Sequence, residues 1–178
     1  EALIQTYDQQ LLAPAAAIFT ARSEFVAQLF PLFEKFYQII ANDAEAVSAG
    51  YVSKLEAEPF AHLLTTARAK DRILQRTTVG IHKDDLKLLI NNRPVRKFAS
   101  QGQLKSFVLA LKLAQYELLK DQKGKNPLLL LDDIFDKLDR FRVAQLISLL
   151  LEQDFGQIFI TDTHENRLEK IVEQYATD

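Results

Sequence analysis

The chain has 178 residues, of which 48% are hydrophobic and 26% charged, and its formal net charge is −2. This composition is typical of a globular protein, and no apolar run approaches the ~20 residues of a membrane helix. Because the chain lacks cysteine, disulfides, thiolate metal sites and cysteine nucleophiles are excluded, and a cytoplasmic location is expected. It also lacks methionine, so we expect it to be part of a longer polypeptide.

Residues 1–76 have the pattern of helices. Apolar side chains recur three, four or seven residues apart over the first forty positions, which predicts a long helix with kinks or short breaks at Pro14 and Pro31. Such a helix would extend ~60 Å, which is too long for a small compact domain, so we interpret it as an arm. Pro59 then opens a second helix that runs to about Arg76. We therefore expect a helical arm or second domain over 1–76.

Residues 77–178 have the alternating pattern of an α/β fold. The predicted elements in chain order are a strand over 77–81, a hairpin of strands 86–90 and 94–98, a helix of about twenty residues after Ser100, a strand over 128–131, a helix over 140–152, a strand over 157–161 and a helix over 165–175. The four leucines of 128–131 are typical of a strand buried on both faces of a parallel sheet. The order of the last four elements predicts parallel strands with right-handed crossovers.

Two aspartates follow the leucine strand directly. Asp132 and Asp133 are thereby placed at the carboxyl edge of a central strand, where α/β proteins bind ligands. One carboxylate there suits Mg²⁺, which prefers a few hard oxygen ligands together with substrate phosphates. Its neighbour suits the polarisation of water that attacks a γ-phosphate. The alternative interpretation is an acidic cap on the following helix.

A second candidate for phosphate binding is the start of the helix that follows residue 100. Ser100, Gln101, Gly102 and Gln103 stand where unpaired N–H groups and the helix dipole favour an anion. Gly102 lacks a side chain, so phosphate can approach the backbone, although a plain serine cap is the alternative. One helix leading away and one strand returning would bring Ser100 to the same edge as the aspartate pair.

Further polar residues follow the same two strands. Asp139 lies shortly after the aspartate pair, and Thr161, Asp162 and His164 follow the next predicted strand. Because the carboxyl ends of parallel strands meet at one edge of a sheet, these groups are expected to converge there.

Residues 78–165 resemble the C-terminal lobe of ABC-type ATPase heads, and more closely that of the RecF family of recombination and repair proteins. Residues 100–103 resemble the ABC signature motif in its RecF form, 128–133 the Walker B strand, and 137–139 the D-loop. Residues 80–86 resemble the family segment Gly-Pro-His-Arg-Asp-Asp-Leu, from which Ile81 and Lys83 depart. Residues 1–76 resemble the helical second domain of RecF in position and character.

The resemblance implies an ATP-dependent homodimer in which two heads enclose two nucleotides. Ser100, Gln101, Gly102 and Gln103 would then contact ATP held by the partner subunit. Asp132 would support Mg²⁺ through water, Asp133 would act as or orient the general base, and Asp139 would lie across the dimer interface. The family also implies binding to gapped DNA, RecO and RecR as partners in loading RecA, and roles in DNA recombination, replication and the SOS response.

Three departures from the family pattern modify these expectations. No Gly-x-x-x-x-Gly-Lys-Ser/Thr occurs in the sequence, so we expect a C-terminal half that hydrolyses no ATP by itself. Asp133 stands where ABC transporters have glutamate, which implies slow turnover. The switch histidine of ABC proteins would align near Asp162 instead of His164, so the switch region is assigned only as Thr161, Asp162 and His164.

A basic stretch is the candidate DNA-binding surface. The segment between residues 82 and 105 contains six basic and two acidic side chains. The candidates for contact with DNA are Lys83, Arg93, Arg96 and Lys97. A solvated hairpin or an interface between heads would explain the same charges. Two alternatives for the whole chain remain, namely the head of an SMC-like chromosome-structure ATPase with a long coiled coil upstream, and a non-catalytic interaction module of the same fold.

Overall fold

The computed structural model describes residues 2–163. Its helices and strands are α1 Ala2–Ala41, β1 Val47–Val52, α2 Phe60–Leu74, β2 Asp85–Ile90, β3 Arg93–Pro94, α3 Val95–Phe98, α4 Gln101–Lys123, β4 Leu129–Leu131, α5 Arg140–Glu152 and β5 Ile158–Ile160. The chain forms two compact units, one of residues up to 28 with 49–87, and one of 29–48 with the residues from 88 onward. The division at 76/77, which rests on sequence character, remains a prediction.

Helix α1 is continuous, so the short breaks expected at its prolines are wrong. A proline in a helix interior costs about 3 kcal/mol, because it removes one backbone donor and its ring clashes with the preceding turn. Beyond Pro31, the fully buried side chains of Phe33, Phe36, Tyr37 and Ile40 follow on the same helix. Burying one such side chain gains about 1.5–3 kcal/mol, so the four together outweigh the cost of the proline. No helix among residues 2–163 is both long and apolar enough to cross a membrane.

Residues 77–80 do not form the predicted strand. Val79 instead packs with Leu63, Leu64 and Ala67 in a cluster built on α2, and a 3₁₀ turn follows at Ile81–Lys83. The Asp71 carboxylate accepts hydrogen bonds from the backbone N–H and the hydroxyl of Thr78. Because a side chain already satisfies this backbone donor, the β-branched segment does not need a neighbouring strand.

The predicted hairpin is confirmed at its turn, and its second strand is shorter than expected. Strands β1, β2 and β3 lie in that order, and in the antiparallel β2–β3 pair Leu89 is opposite Pro94. Asn91 and Asn92 both have positive φ, as a two-residue type I′ turn requires. The extended segment ends at Pro94, since Val95 is buried as the first residue of the short helix α3.

The parallel pair predicted at the C-terminal side is confirmed. Leu129 is opposite Ile158 and Leu131 opposite Ile160 in the parallel β4–β5 pair. Burial on both faces of β4 is wrong for this chain, because Leu129 and Leu131 are buried whereas Leu128 and Leu130 are 63% and 70% exposed. Side chains alternate across a strand, and the described residues cover only one face of this one.

The helices that flank these strands begin and end as the sequence indicates. Ser100 caps α4, which ends at Gly124 in the left-handed conformation. Asp139 caps α5, whose bounds Arg140–Glu152 coincide with the predicted helix. The helix predicted over 165–175 lies outside the described residues.

Candidate functional site

Thr161 joins the carboxyl ends of the two parallel strands. Its backbone N–H donates to the Leu131 carbonyl at 2.9 Å, which continues the β4–β5 ladder by one residue. Its hydroxyl donates to the Asp132 carboxylate and accepts from the backbone N–H of Asp133 at 3.2 Å. The structure therefore brings Thr161 and the two aspartates together at one edge of the sheet.

Asp133 has an unusual environment. Its backbone lies in the left-handed region at φ 46°, which aspartate tolerates better than most residues. Its carbonyl oxygen accepts from Lys105 Nζ at 2.9 Å, whereas its buried Oδ1 has no hydrogen-bond partner among residues 2–163. Buried polar atoms without a partner are rare, so this oxygen is a candidate for contact with a ligand or water.

Ser100 and Gln103 form a capping box at the start of α4. Ser100 Oγ accepts from the backbone N–H of Gln103 at 3.2 Å, and Gln103 Oε1 accepts from the backbone N–H of Ser100 at 2.7 Å. The serine cap that the sequence allowed is thus present. Ser100 and Gln101 are exposed, so their side chains are accessible to a ligand.

Gly102 lies against the turn that follows the aspartate pair. A β-carbon at Gly102 would stand 3.0 Å from the Lys137 carbonyl oxygen, and Lys137 itself has a positive φ of 64°. Close approach of two backbones is therefore one physical reason for glycine here. The prediction that Gly102 admits a phosphate is not excluded by this contact and remains a prediction.

Asp139 and Arg142 connect this turn to α5. Asp139 Oδ1 accepts from the backbone N–H of Arg142 at 2.9 Å, as expected of a helix N-cap. Asp139 Oδ2 lies 3.3 Å from Arg142 Nε. Arg142 also donates to Ser106 Oγ at 3.0 Å and to Glu45 Oε1 at 2.7 Å.

The sequence analysis missed this cluster around Glu45. Glu45 lies in the bend between α1 and β1, and it accepts from Arg142, from Gln103 Nε2 at 2.8 Å and from the Tyr37 hydroxyl at 2.5 Å. Burial alone would raise the pKa of the Glu45 carboxyl, but these three donors outweigh it and lower that pKa below its usual value. Burial and the hydrogen bond to Glu45 raise the pKa of the Tyr37 phenol.

One residue from each of the two predicted phosphate-binding segments lines a common cleft. The cleft has a volume of about 730 Å³, and its lining includes Gln101, Lys105, Asp132 and Lys137 together with apolar side chains of α4 and β4. The structure thus brings Gln101 and Asp132 to the same cleft of the second compact unit.

The remaining predicted residues have other placements. Asp162 is half-buried next to Thr161, and His164 lies outside the described residues. Lys83 belongs to the first compact unit, whereas Arg93, Arg96 and Lys97 are exposed in the second. The Arg93 guanidinium lies 5.6 Å from the centre of the Phe98 ring.

The aspartate pair provides the type and the number of side-chain ligands that Mg²⁺ takes from proteins. No group of three His, Cys, Asp or Glu side chains among residues 2–163 is arranged as a complete metal site. Mg²⁺ usually takes one or two carboxylates and completes its shell with water and phosphate. The exposed Asp132 carboxylate, oriented by Thr161, and the unpartnered Asp133 Oδ1 are hard oxygen donors of this kind.

Comparison with solved structures defines the class of protein. No family model matches the chain. An Smc head bound to the C-terminal winged-helix domain of ScpA aligns with a TM-score of 0.50 and 15% identity, covering 80% of this chain and 36% of that one. This likeness is one of fold alone. Together with the parallel β4–β5 pair and the capped helix α4, it shows a fold consistent with the C-terminal lobe of such a head.

Relatives and solved structures of higher identity are RecF proteins. RecF with ATP, from the RecFOR pathway, aligns with a TM-score of 0.74 and 29% identity, covering 93% of this chain and 46% of that one. The DNA replication and repair protein RecF is 46% identical over 165 residues in Cytophaga hutchinsonii and 47% identical over 169 residues in Flavobacterium johnsoniae. The chain is similar to the C-terminal part of these proteins along 93% and 95% of its own length. It spans 44% and 47% of these two relatives.

Proposed function

We propose that this chain is the C-terminal part of an ATP-dependent DNA-binding protein that acts in recombinational repair of gapped DNA and in replication restart. Its part in that function is to supply the signature motif, the Walker B strand and the D-loop to a dimeric ATPase site. The observation that carries the proposal is the hydrogen-bonded group of Thr161, Asp132 and Asp133, of which Asp132 lines the same cleft as Gln101.

The Walker B end would serve the nucleotide bound by the same subunit. Mg²⁺ held near Asp132 would offset the negative charge of the phosphates. Thr161 would fix the orientation of the Asp132 carboxylate through its hydroxyl. Asp133 Oδ1, which has no hydrogen-bond partner in the described part of the chain, would accept a proton from the water that attacks the γ-phosphate.

The signature motif would serve the nucleotide of the partner subunit. Ser100 Oγ accepts a hydrogen bond from the Gln103 backbone, which leaves the hydroxyl proton to donate to a phosphate oxygen. Gln101 is exposed at the cleft, and the first turn of α4 adds backbone donors and a positive dipole end. The Gln103 amide donates to Glu45, so Gln103 would contribute to nucleotide binding by keeping the first turn of α4 in place.

The expected partners follow from the family. Solved relatives are described as a recombination mediator of the RecFOR pathway in complex with ATP, which supports ATP, DNA, RecO and RecR as partners of the whole protein. An ATP-dependent homodimer is proposed because the signature motif acts on a nucleotide held by another subunit. Work on chromosomal DNA fits the cytoplasmic location that the absence of cysteine favours.

The test uses a full-length protein that includes this chain. Asp132→Asn and Asp133→Asn should each lower ATP turnover by at least ~100-fold, as removal of a general base or its electrostatic neighbour does. Asp136→Asn is the matched control, because Asp136 lies in the same turn, is exposed and should leave turnover unchanged. Wild-type turnover in Asp133→Asn would contradict the proposal. ATP hydrolysis by the chain alone would show that it holds a complete site.

A further inference from the structure

Arg142 is a buried charged side chain of the second compact unit. Only 9% of the residue is exposed, and its guanidinium contacts three acceptors: Glu45 Oε1 at 2.7 Å, Ser106 Oγ at 3.0 Å and Asp139 Oδ2 at 3.3 Å. A buried charge is costly unless its donors are satisfied, so a guanidinium here needs this set of partners.

Two of these acceptors are hydrogen-bonded to residues 100–103 at the start of α4, which we call the signature turn. Glu45 accepts from Gln103 Nε2 at 2.8 Å through the same oxygen that faces Arg142. Ser106 is fully buried, and its hydroxyl donates to the Gly102 carbonyl at 3.0 Å. The guanidinium is therefore connected to Gln103 and to Gly102 by two hydrogen bonds each, through one intervening side chain.

The third acceptor, Asp139, belongs to residues 137–139 after the aspartate pair, which we call the D-loop turn. Asp139 ends that turn and caps α5, and the Lys137 carbonyl of the same turn lies against Gly102. Burial tends to lower the pKa of the Arg142 guanidinium, but Glu45 and Tyr37 outweigh this effect and keep its pKa raised. Arg142 therefore stays a cation and connects the two segments through hydrogen bonds, in addition to their direct backbone contact.

We propose that Arg142 is a positioning residue that fixes the geometry between the signature turn and the D-loop turn. Both segments would face the partner subunit's nucleotide, so this inference rests on the proposed function above. Arg142 itself would not contact the nucleotide. Its effect would pass through Gln103 and Gly102 on one side and through Asp139 on the other.

The proposal predicts a specific kinetic defect in the full-length protein. Arg142→Gln should lower kcat for ATP by about 10-fold or more with little change in KM, because precise placement of groups affects the reaction more than binding in the subunit's own site. Arg142→Lys should show the same defect while retaining the charge, since one ammonium group cannot reach all three acceptors in the planar fork geometry. Arg140→Gln is the control, because Arg140 is exposed two residues earlier in α5.

A mixing experiment separates action on the partner's site from a general loss of structure. In a mixed dimer of Arg142→Gln and Asp133→Asn subunits, one site combines a wild-type Walker B end with a wild-type signature turn. Random pairing should recover about a quarter of wild-type turnover, since half of the dimers are mixed and each holds one intact site of two. Asp132→Asn mixed with Asp133→Asn should recover none, because each of its sites carries a damaged Walker B end.

The outcomes are distinct for the two proposals. A wild-type kcat in Arg142→Gln would overturn the positioning role. So would an Arg142→Gln protein whose turnover is not restored by mixing with Asp133→Asn. Loss of the folded state in both Arg142 variants, seen by thermal unfolding, would assign the residue to stability alone. Full turnover in Asp133→Asn would instead overturn the proposed ATPase function.

Discussion

The carbonyl oxygen of Lys137 lies 3.0 Å from the position that a β-carbon on Gly102 would take. Since that neighbour is backbone, it cannot move as a flexible side chain would. Gly102→Ala should therefore destabilise the protein by about 1–3 kcal/mol through overpacking, which exceeds the gain of about 1 kcal/mol that alanine brings to a helix. Gly50→Ala is the control, because nothing lies within 4 Å of its β-carbon position. Thermal unfolding of both variants measures the difference. Equal unfolding midpoints would show that the turn at Lys137 moves to accommodate the added methyl group.

Ser100 has two possible functions, and one substitution separates them. Asparagine caps a helix about as well as serine, so Ser100→Asn should retain stability while losing the hydroxyl proposed to meet the phosphate. Ser100→Ala should lose both the cap, at a cost of about 0.5–2 kcal/mol, and the hydroxyl. Unfolding midpoints and ATP turnover of the full-length variants provide the two measurements. If Ser100→Asn retains full turnover, the serine is a cap only.

Glu45 should make the free energy of unfolding depend on pH in the acidic range. Its folded-state pKa lies below the ordinary value of 4.5, so its carboxylate stabilises the fold above that pH, and this contribution is lost as pH falls through the lowered pKa. Glu45→Gln should destabilise the protein by roughly 1–3 kcal/mol at neutral pH, because Arg142 loses the nearer of its two carboxylate partners. Urea unfolding across the acidic range should show the difference between wild type and variant shrinking below about pH 4.5. A difference that stays constant with pH would contradict this account.

Thr161 should matter for turnover through its hydroxyl. Thr161→Val keeps the shape of the side chain and removes both the donor to Asp132 and the acceptor for the Asp133 N–H. Loss of such an orienting partner should reduce turnover of the full-length protein by about 10–100-fold. Thr161→Ser keeps the hydroxyl and should remain within a few-fold of wild type. Equal activities of the serine and valine variants would remove the hydrogen bond from the mechanism.

The DNA-binding surface can be tested by salt dependence. If Arg96 and Lys97 neutralise phosphates, each alanine substitution should reduce the slope of log affinity against log salt by about one. Lys125→Ala is a suitable control, because Lys125 is an exposed lysine beyond α4. Affinity of the full-length protein for gapped DNA would be measured at several salt concentrations. An unchanged slope in both variants would exclude these residues from the DNA contact.

The features that the sequence predicted correctly have local signals. A run of leucines ending in aspartates predicted β4, and a serine directly before an apolar-periodic segment predicted the cap of α4. The Asn91–Asn92 pair likewise favours the tight turn that the structure contains. In each case the physical cause lies within a few neighbouring residues.

The features that were missed depend on distant partners. The ion pair of Glu45 and Arg142 joins residues 97 positions apart, and no spacing rule relates them. A buried arginine on the apolar face of α5 was the available signal, since Arg142 is followed by Val143, Leu146 and Ile147 on that face. Val79 was misassigned because β-branched residues favour strands, whereas its burial against α2 decided its conformation.

The three donors on Glu45 come from α1, α4 and α5, although the acceptor itself stands in a bend outside regular structure. A change at this one position would leave a phenol, an amide and a guanidinium without their acceptor at once. Positions 37, 45, 103 and 142 are thus constrained as a set, and an evolutionary route that alters one of them must soon compensate at the others.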